Sequence, residues 1–478
     1  MSNPFYITTT LPYVNAEPHI GFAMEIIRAD IIARWKKSQG FDVFFNTGTD
    51  EHGAKIWQKA SGEGIPVQEY VNQCAAKFRD LKQLLNLSDG INFIRTTDPN
   101  HIKATEEFWR KCDLRGYIYK KNYKIKYCVG CELEKTESEL VDGKCPIHPN
   151  QEIQLIEEEN YFFKFSEFQK PLLELYKKQP RLVVPDFRFN EIKAFVERGL
   201  QDFSISRLKT KMPWGVPVPG DDEHVMYVWF DALVNYISAI GWPEDEAKFK
   251  KWWQETGGVV QYCGKDNLRQ QSAMWQAMLM AADLPPSKTI VIDGFITKNG
   301  QKISKSLGNT VDPVGIVSEY GVDALRYYVA RELHPFEDSD YTEEGFKKAY
   351  NGNLANGIGN LASRITQMMI ANQVSVEISE EKVENQIYIN AMENFDIKAA
   401  CDEIWKIIQK TDQRIQEIQP FRLVKTDLQK GKEEIAYLGR ELNKVAVLLS
   451  PIMPHTSRKI KEAIAENKKT DTLFPRKE

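Results

Sequence analysis

The string Phe5-Tyr6-Ile7-Thr8-Thr9-Thr10, followed by Pro18-His19-Ile20-Gly21, decides how the first part of the chain should fold. The first string is rich in aromatic and β-branched residues and predicts a strand. The second string opens a periodic stretch over 22–37 that predicts an amphipathic helix. A strand that delivers a histidine and a glycine to a helix N-terminus is typical of a phosphate site. The reason is that free backbone N–H groups and the positive end of the helix dipole face the anion there.

The alternation of strand and helix continues after this segment. Residues 42–46 predict a second strand, residues 47–53 a turn, and residues 54–62 a helix. This rhythm predicts a parallel sheet that binds ligands at the carboxyl ends of its strands. The alternation resumes later, with apolar runs at 227–230, 259–262 and 289–292.

Two regions depart from this rhythm. Cysteines, prolines and short β-like runs fill 116–225, so we interpret this region as an insertion in a single α/β domain. Apolar residues at helical spacing over 358–371, 397–418 and 433–449 predict a helical bundle. The expected boundaries are 1–115 and 226–330 for the two halves of the α/β domain, 116–225 for the insertion, 331–350 for a linking segment, and 351–478 for the helical domain.

The loop Lys302-Ile303-Ser304-Lys305-Ser306 is a second string with phosphate chemistry. Two lysines and two hydroxyls on one short loop suit a mobile clamp for a triphosphate whose charge shifts during displacement. Alone, such a composition is more often that of a solvated turn. Its interpretation therefore depends on its combination with Pro18-His19-Ile20-Gly21.

A metal site is predicted inside the insertion. Cys128, Cys131, Cys145 and His148 form the pattern C-x2-C-x13-C-x2-H, which places soft ligands on two tight turns. Four ligands with no open position predict one structural Zn²⁺ per chain. The alternatives are free thiols beside a surface histidine, or a redox C-x-x-C pair. The remaining cysteines are expected to be small core residues: Cys74, Cys112, Cys263 and Cys401.

Composition sets wider limits. The net charge is −4, so nucleic acid would have to be bound by local patches. One candidate patch, which could equally be a solvated strand face, consists of Lys120, Lys121, Lys124 and Lys126. No apolar run reaches the ~18 residues that span a membrane. The first residues show no basic region of an export signal, and the cysteine number is odd. We therefore expect a cytoplasmic protein without membrane association or disulfides.

The two phosphate-type strings, in this order, resemble the paired signatures of class I aminoacyl-tRNA synthetases. Further strings narrow the resemblance to the methionyl-tRNA synthetases and cover nearly the whole chain. They are Leu11-Pro12-Tyr13-Val14-Asn15, Gly48-Thr49-Asp50-Glu51-His52-Gly53, Asn160-Tyr161-Phe162-Phe163, the run 229–236, Gly264-Lys265-Asp266 and Asn360-Leu361-Ala362-Ser363-Arg364.

The resemblance implies a Rossmann-like catalytic domain, split by a zinc-containing insertion and followed by a helical anticodon-binding domain. It implies the ligation of L-methionine to initiator and elongator tRNA(Met). ATP with Mg²⁺ first forms methionyl-adenylate and releases pyrophosphate, and the methionyl group then passes to the terminal adenosine of the tRNA. We expect a monomer.

Site residues are carried over by the same resemblance. His19 and Gly21 would hold ATP together with Gly264 and Asp266, and Lys302 and Lys305 would meet the charge of the leaving pyrophosphate. Asp50 would hold the ammonium group of methionine. The pocket for the methionine side chain would consist of Leu11, Tyr13, Trp229, Ala232, Tyr236, Gln271 and Trp275. The anticodon would be read by Asn360, Arg364, Pro420 and Phe421.

Four positions depart from the family pattern. Phe22 replaces a second histidine, and Ile303 replaces a methionine. Gln270-Gln271 replaces Phe-His, and we expect these amides to bond to each other, the backbone or water. Phe421 replaces a tryptophan and could instead be a core residue of the bundle. These departures leave open altered amino-acid specificity and a non-catalytic tRNA-binding paralogue. A zinc-stabilised nucleotide-binding scaffold would not explain the long helical C-terminus.

Overall fold

A computed structural model describes residues 2–15, 17–130, 133–135, 139–303, 310–378 and 385–478. Its N-terminal region alternates strands and helices, as the sequence predicts. The elements are β1 (Pro4–Thr8), α1 (Ile20–Ser38), β2 (Asp42–Thr49), α2 (Ala54–Glu63), α3 (Val67–Leu84), β3 (Asn92–Arg95) and α4 (Pro99–Leu114).

Helix α1 lies inside the core rather than at its edge. Every residue of the run 23–33 is buried, so the prediction of an amphipathic helix is wrong. Glu25, Arg28 and Asp30 are buried with this run. Charged groups without access to water need partners inside the protein, and these three shape the site and the domain contacts described below.

The middle region contains two strands of 11 residues, several short strands and two helices. Its elements are β4 (Ile118–Cys128), β5 (Leu133–Lys135), β6 (Ile153–Phe163), a 3₁₀ turn (Phe165–Phe168), α5 (Gln169–Lys178), β7 (Val183–Val184), α6 (Asp186–Glu197), β8 (Phe203–Ser204), β9 (Ser206–Leu208), β10 (Pro217–Val218) and β11 (Asp221–Met226). Two small sheets, β5-β4-β6-β8 and β10-β11-β9, organise this region.

Acidic partners face the lysines of β4. The Lys120 ammonium lies 3.2 Å from a Glu159 carboxylate oxygen and 2.9 Å from an Asp221 carboxylate oxygen. The Lys124 ammonium lies 3.0 Å from a Glu157 carboxylate oxygen. This pairing favours the solvated strand face over a patch for nucleic acid.

The alternation of strands and helices resumes after the middle region. Its first element is a helix at residues 228–232. The elements are α7 (Val228–Ala232), α8 (Asn235–Ser238), α9 (Glu246–Phe249), a π-helical segment (Lys250–Gln254), β12 (Val260–Gly264), a 3₁₀ turn (Lys265–Asn267), a second π-helical segment (Gln270–Met274), α10 (Trp275–Ala281), β13 (Thr289–Asp293), β14 (Ile296–Lys298), β15 (Gln301–Lys302), α11 (Pro313–Tyr320), α12 (Val322–Tyr327), a third π-helical segment (Tyr328–Glu332) and β16 (Ser339–Tyr341).

Six parallel strands from three parts of the chain form the central sheet. Their order is β3-β2-β1-β12-β13-β7. The order reverses between β1 and β12, where the two halves of the α/β region meet. In open parallel sheets a crevice forms outside the carboxyl ends of the strands at such a point. Strand β7 comes from the middle region and pairs with β13 at the edge of the sheet.

The C-terminal region is helical, as predicted. Its elements are α13 (Glu343–Ala349), a π-helical segment (Tyr350–Gly359), α14 (Asn360–Ala371), α15 (Gln386–Glu393), α16 (Ile397–Ile418), α17 (Pro420–Thr426), α18 (Leu428–Leu449) and α19 (Pro454–Ala465). The apolar core of these helices is continuous with the core around α1. In the part of the chain that the structure describes, no helix is long and apolar enough to cross a membrane.

Candidate active site

A cavity of about 490 Å³ opens at the carboxyl ends of β1, β2, β12 and β13. It lies where the order of the parallel strands reverses, so both halves of the α/β region contribute walls. Residues from 10–15 and 17–25 contribute one side, and residues from 228–236 and 264–271 contribute the other. The fold therefore places the cavity where the strand pattern predicts a ligand site.

The predicted nucleotide residues line this cavity from both walls. His19 is the N-cap of α1, and its Nδ1 accepts a hydrogen bond of 3.1 Å from the Gly21 backbone N–H. A Cβ at Gly21 would lie 2.9 Å from the His19 ring, so a larger residue there would displace the ring from its capping position. Gly264 and Asp266 also line the cavity.

The second phosphate string is described only in part. Lys302 ends β15, but its side chain and the whole of Lys305 lie outside the described residues. The substitution at Phe22 is described: this ring packs edge-on against Phe78, with ring centroids 5.4 Å apart, and lines the cavity. An apolar contact thus occupies the place where a histidine would offer a donor.

Most of the predicted methionine residues line the same cavity. They are Leu11, Tyr13, Asp50, Trp229, Ala232, Tyr236 and Gln271. Trp275 is fully buried behind them, stacked on Phe108 with ring centroids 5.6 Å apart and 5.8 Å from the Tyr236 ring. It supports the wall rather than lining it.

Gln271 has partners other than its neighbour Gln270. Its amide N–H donates to the Tyr236 hydroxyl at 2.7 Å, and its carbonyl oxygen accepts from the Gln261 amide at 2.8 Å. All three side chains are buried. The sequence predicts partners among the neighbouring amide, the backbone and water, whereas the structure gives the Gln271 amide two other side chains. Gln271 thus fixes the Tyr236 hydroxyl at the cavity wall.

The turn that carries Asp50 is tied to the segment that carries Tyr13. The Asp50 backbone N–H donates to the Pro12 carbonyl, and the Val14 N–H donates to the Asp50 carbonyl. Gly53 has φ = +124°, and a Cβ there would lie 2.4 Å from the Tyr13 hydroxyl oxygen. Only glycine allows this conformation and this approach together.

Two buried carboxyl groups of the cavity were missed by the sequence reasoning. Burial raises the pKa of Glu25 to about 8, although hydrogen bonds from Thr10 oppose the shift. Burial raises the pKa of Asp293 to about 6, although Arg28, 3.3 Å away, opposes it. The signal that could have found them is the occurrence of Glu25 and Arg28 inside an apolar helical run.

The metal prediction is supported by three of its four residues. Cys128, Cys145 and His148 bring their ligand atoms within 4.8 Å of one another, and both cysteines are buried. A Cβ at Gly130 would lie 2.3 Å from the His148 ring, so the turn closes tightly around the site. Cys131 lies outside the described residues. The soft donor set and its closed shape fit a metal ion such as Zn²⁺.

The predicted anticodon residues lie on two helices that both pack on α18. Asn360 is exposed and lies one turn before Arg364 on α14, and Arg364 forms a close ion pair with Asp412 of α16. Pro420 is buried at the start of α17. Phe421 is 45% exposed, so the alternative that it belongs to the core of the bundle is wrong.

Comparisons with known proteins agree with this arrangement. The family model described as "tRNA synthetases class I (M)" matches residues 5–155 and 135–366. A methionine–tRNA ligase of Thermotoga maritima is 41% identical over 95% of this chain and 74% of its own length. One of Rickettsia conorii is 38% identical over 99% of this chain and 95% of its own length. The chain belongs to the class I aminoacyl-tRNA synthetases.

Comparison with solved structures identifies the family within this class. Mycobacterium tuberculosis methionyl-tRNA synthetase in complex with methionyl-adenylate superposes with a TM-score of 0.89 at 34% identity, covering 99% of both chains. The apo form of that enzyme gives a TM-score of 0.83 at 31% identity, covering 100% of this chain and 99% of the other. The chain belongs to the methionyl-tRNA synthetase family.

Proposed function

We infer that this chain is a methionine–tRNA ligase (EC 6.1.1.10). It activates methionine with ATP, releases pyrophosphate, and transfers the methionyl group to tRNA. The observation that carries this conclusion is the single cavity in which the His19–Gly21 helix start meets Asp50 and the aromatic wall around Tyr236. The residues assigned to the nucleotide and those assigned to the amino acid share one space of about 490 Å³.

The geometry supports activation by positioning. An in-line attack of the methionine carboxylate on the α-phosphate needs alignment and charge stabilisation more than covalent participation. We propose that the N-terminus of α1, with His19 and Gly21, holds the phosphates, and that Gly264 and Asp266 hold the rest of the nucleotide. Lys302 and Lys305 would meet the charge on the leaving pyrophosphate.

The amino-acid side of the cavity suits methionine. Asp50 is the carboxylate assigned to the ammonium group, and Tyr13, Trp229 and Tyr236 with Leu11 and Ala232 offer aromatic and aliphatic surface. A polarisable thioether makes favourable contacts with aromatic rings. Gln271 acts through the Tyr236 hydroxyl rather than as a replacement for an aromatic wall. Trp275 supports that wall from behind.

Metal ions have two proposed roles. Cys128, Cys145 and His148 would hold one Zn²⁺ with Cys131 as the fourth ligand, and a closed site of this kind supplies stability rather than chemistry. Mg²⁺ would enter with ATP and neutralise phosphate charge. Both are proposals for this chain.

The macromolecular partner is tRNA. We propose that initiator and elongator tRNA(Met) are both substrates and that α14 and α17 read the anticodon with Asn360, Arg364 and Phe421. The domain boundaries, the monomeric state and the cytoplasmic location stay predictions from the sequence. Gel filtration with light scattering tests the monomer.

Amino-acid-dependent ATP–pyrophosphate exchange tests the proposed function. The purified chain is assayed with each proteinogenic amino acid, and then for charging of tRNA(Met) transcripts. We expect methionine to drive exchange best and tRNA(Met) to be charged. A higher kcat/KM with another amino acid would show altered specificity, and tRNA binding without any exchange would show a non-catalytic paralogue.

A further inference from the structure

A buried carboxylate with two histidine partners lies directly behind the cavity. The Asp231 side chain is fully buried; its Oδ2 is 2.6 Å from His52 Nδ1, and its Oδ1 is 2.9 Å from His101 Nε2. The second ring nitrogen of His101 is 2.9 Å from the Ser238 hydroxyl. Both oxygens of the carboxylate therefore bind an imidazole, and both imidazoles are buried.

The three residues belong to three different elements around the amino-acid side of the cavity. His52 lies in the turn after β2, close in sequence to Asp50. Asp231 lies on α7 between the cavity residues Trp229 and Ala232. His101 lies on α4, which packs against α8 behind the wall. The network thus joins the turn that carries Asp50 to the helix that carries Trp229.

The charge of Asp231 makes these contacts costly to break. Burial alone would raise the pKa of Asp231, but His52 and His101 hold it at about 2, so the carboxylate is ionised at neutral pH. An ionised group without water needs every hydrogen bond it makes. Displacing either histidine would remove a hydrogen bond from the buried carboxylate, which opposes any change in the spacing of the two walls.

The turn is fixed from its other side as well. The His52 ring packs edge-on against Trp214 with ring centroids 5.4 Å apart. The Trp214 indole N–H donates to the Glu51 carbonyl at 2.6 Å, and the Gly53 N–H donates to the Trp214 carbonyl. The position of His52 relative to Asp50 is therefore defined, and the network transmits that position to α7.

We propose that Asp231, His52 and His101 are positioning residues that set the separation between the ammonium-binding carboxylate of Asp50 and the side-chain slot at Trp229 and Ala232. That separation determines the length of the amino-acid side chain that the cavity accepts. The inference rests on the proposed function and extends it to residues that need not touch the substrate. ATP binding is not governed by this network, because its three residues lie on the turn after β2, α7 and α4 rather than at the N-terminus of α1.

Exchange kinetics with methionine and with ethionine, which is longer by one methylene, test this proposal. The variants are Asp231→Asn, which weakens the carboxylate contacts, and the pair His101→Leu and His101→Gln. Glutamine places an amide N–H near the position of Nε2 and can keep the contact to Asp231, whereas leucine cannot. The matched control is Asp221→Asn, because Asp221 also pairs with a buried histidine, His224 at 3.0 Å, but lies on β11, which contributes no residue to the cavity.

We expect Asp231→Asn and His101→Leu to raise the KM for methionine about tenfold, and to lower the preference for methionine over ethionine at least about threefold. The KM for ATP should change less than about twofold, and His101→Gln should stay within about threefold of the wild-type KM for methionine. Asp221→Asn should leave both KM values near those of the wild type. Thermal unfolding of each variant accompanies the kinetics.

Three results would overturn the proposal: KM values for methionine and ATP that rise together, an equal rise in the Asp221→Asn control, or no difference between His101→Leu and His101→Gln. If Asp231→Asn does not fold, the His101 pair decides. Wild-type protein without methionine-dependent exchange would defeat the proposed function and this inference with it. An active wild type with unaffected variants would defeat this inference alone.

Discussion

Gln271 shows how single residues of the cavity find partners far away in the sequence. Replacing it with leucine would leave the buried Gln261 amide without its acceptor and the Tyr236 hydroxyl without its donor. A buried polar group that loses its partner costs about 1–3 kcal/mol. We therefore expect Gln271→Leu to destabilise the protein by that amount and to raise the KM for methionine about tenfold, with the KM for ATP unchanged. Exchange kinetics and chemical denaturation measure both effects; an unchanged KM for methionine would contradict the role given to Gln271.

Glu25 is predicted to make stability depend on pH. Its pKa is raised from the ordinary value of 4.5 to about 8 by burial, so the folded protein keeps a proton that the unfolded chain releases. The free energy of unfolding must then fall as the pH rises between those two values. Relative to Glu25→Gln, which does not titrate, the wild type should lose about 2 kcal/mol between pH 5 and pH 7.

Urea denaturation of both proteins across this pH range measures the effect. Glu174→Gln is the control for the substitution itself, because Glu174 is exposed and does not line the cavity. A constant difference between the wild type and Glu25→Gln would show that Glu25 is ionised in the folded protein.

The sequence predicted the kinds of residues in the cavity better than their contacts. The resemblance named Leu11, Tyr13 and Tyr236, and all three line the cavity. It did not place Trp275 behind the wall, and it could not pair His52 with Asp231, because that contact joins segments 179 residues apart. Such pairings depend on how helices pack, which local patterns do not encode.

At the scale of elements, the tight turns around Cys128 and Cys145 carry the zinc prediction. We expect about one Zn²⁺ per chain in the wild type and a substoichiometric amount in Cys145→Ser, because a closed thiolate site needs all of its ligands. Cys401→Ser is the control, since Cys401 is a buried thiol on α16, away from this cluster. Metal analysis of dialysed protein gives the result; full zinc content in Cys145→Ser would exclude that ligand.

Loss of zinc should also change the wall of the cavity. The Lys55 ammonium donates to the Gly130 carbonyl at 2.9 Å, and both residues line the cavity. The turn of the metal site is therefore part of the wall. Cys145→Ser should destabilise the insertion and, through this contact, weaken substrate binding.

Helix α17 presents the aromatic ring of Phe421 to solvent, and an exposed ring can stack with a base. Such stacking contributes about 1–3 kcal/mol per base. We expect Phe421→Ala to lower the kcat/KM for charging of tRNA(Met) about 5- to 150-fold while ATP–pyrophosphate exchange is retained. Ile387→Ala is the control, since Ile387 is 59% exposed on α15 of the same bundle. Equal charging by Phe421→Ala and the wild type would remove this residue from tRNA recognition.

The prediction of elements succeeded where the period of apolar residues was clear. Helix α16 spans Ile397–Ile418, as its spacing predicts. The pattern failed for α1, where burial on all sides removes the contrast between two faces. It also failed near 227–230, because a short apolar run does not distinguish a buried strand from a helix such as α7.

At the scale of the whole molecule, the order of motifs predicted the architecture, but not how tightly its parts join. The sequence indicated a parallel α/β unit, an insertion and a helical region. It did not predict that β7 from the middle region completes the central sheet, or that the helical region shares a continuous core with α1. These contacts join distant segments, so only the folded chain reveals them.

Arg326 makes the clearest contacts between distant segments of the chain. It is fully buried, and its guanidinium donates to Asp30 of α1 at 2.8 Å, to the carbonyls of Pro451 and Ile452 before α19, and to the carbonyl of Leu85 after α3. Burial alone would raise the pKa of Asp30, but Arg326 and Arg34 lower it below its ordinary value. One side chain therefore joins the catalytic region to the C-terminal helices.

We expect Arg326→Met to reduce the free energy of unfolding by about 3–5 kcal/mol, because it leaves a buried carboxylate without its main partner. Arg326→Lys should recover only part of this loss, since an ammonium cannot reproduce the planar fork that reaches several acceptors at once. Lys103→Ala is the control: Lys103 forms an exposed ion pair with Glu244 at 3.3 Å, and its loss should change the free energy of unfolding by less than about 1 kcal/mol.

Because Arg326 fixes the helical region on α1, tRNA charging by Arg326→Lys should fall further than ATP–pyrophosphate exchange, which needs the catalytic region alone. Equal losses in the two assays would mean that Arg326 supports folding without orienting the anticodon-reading helices relative to the cavity.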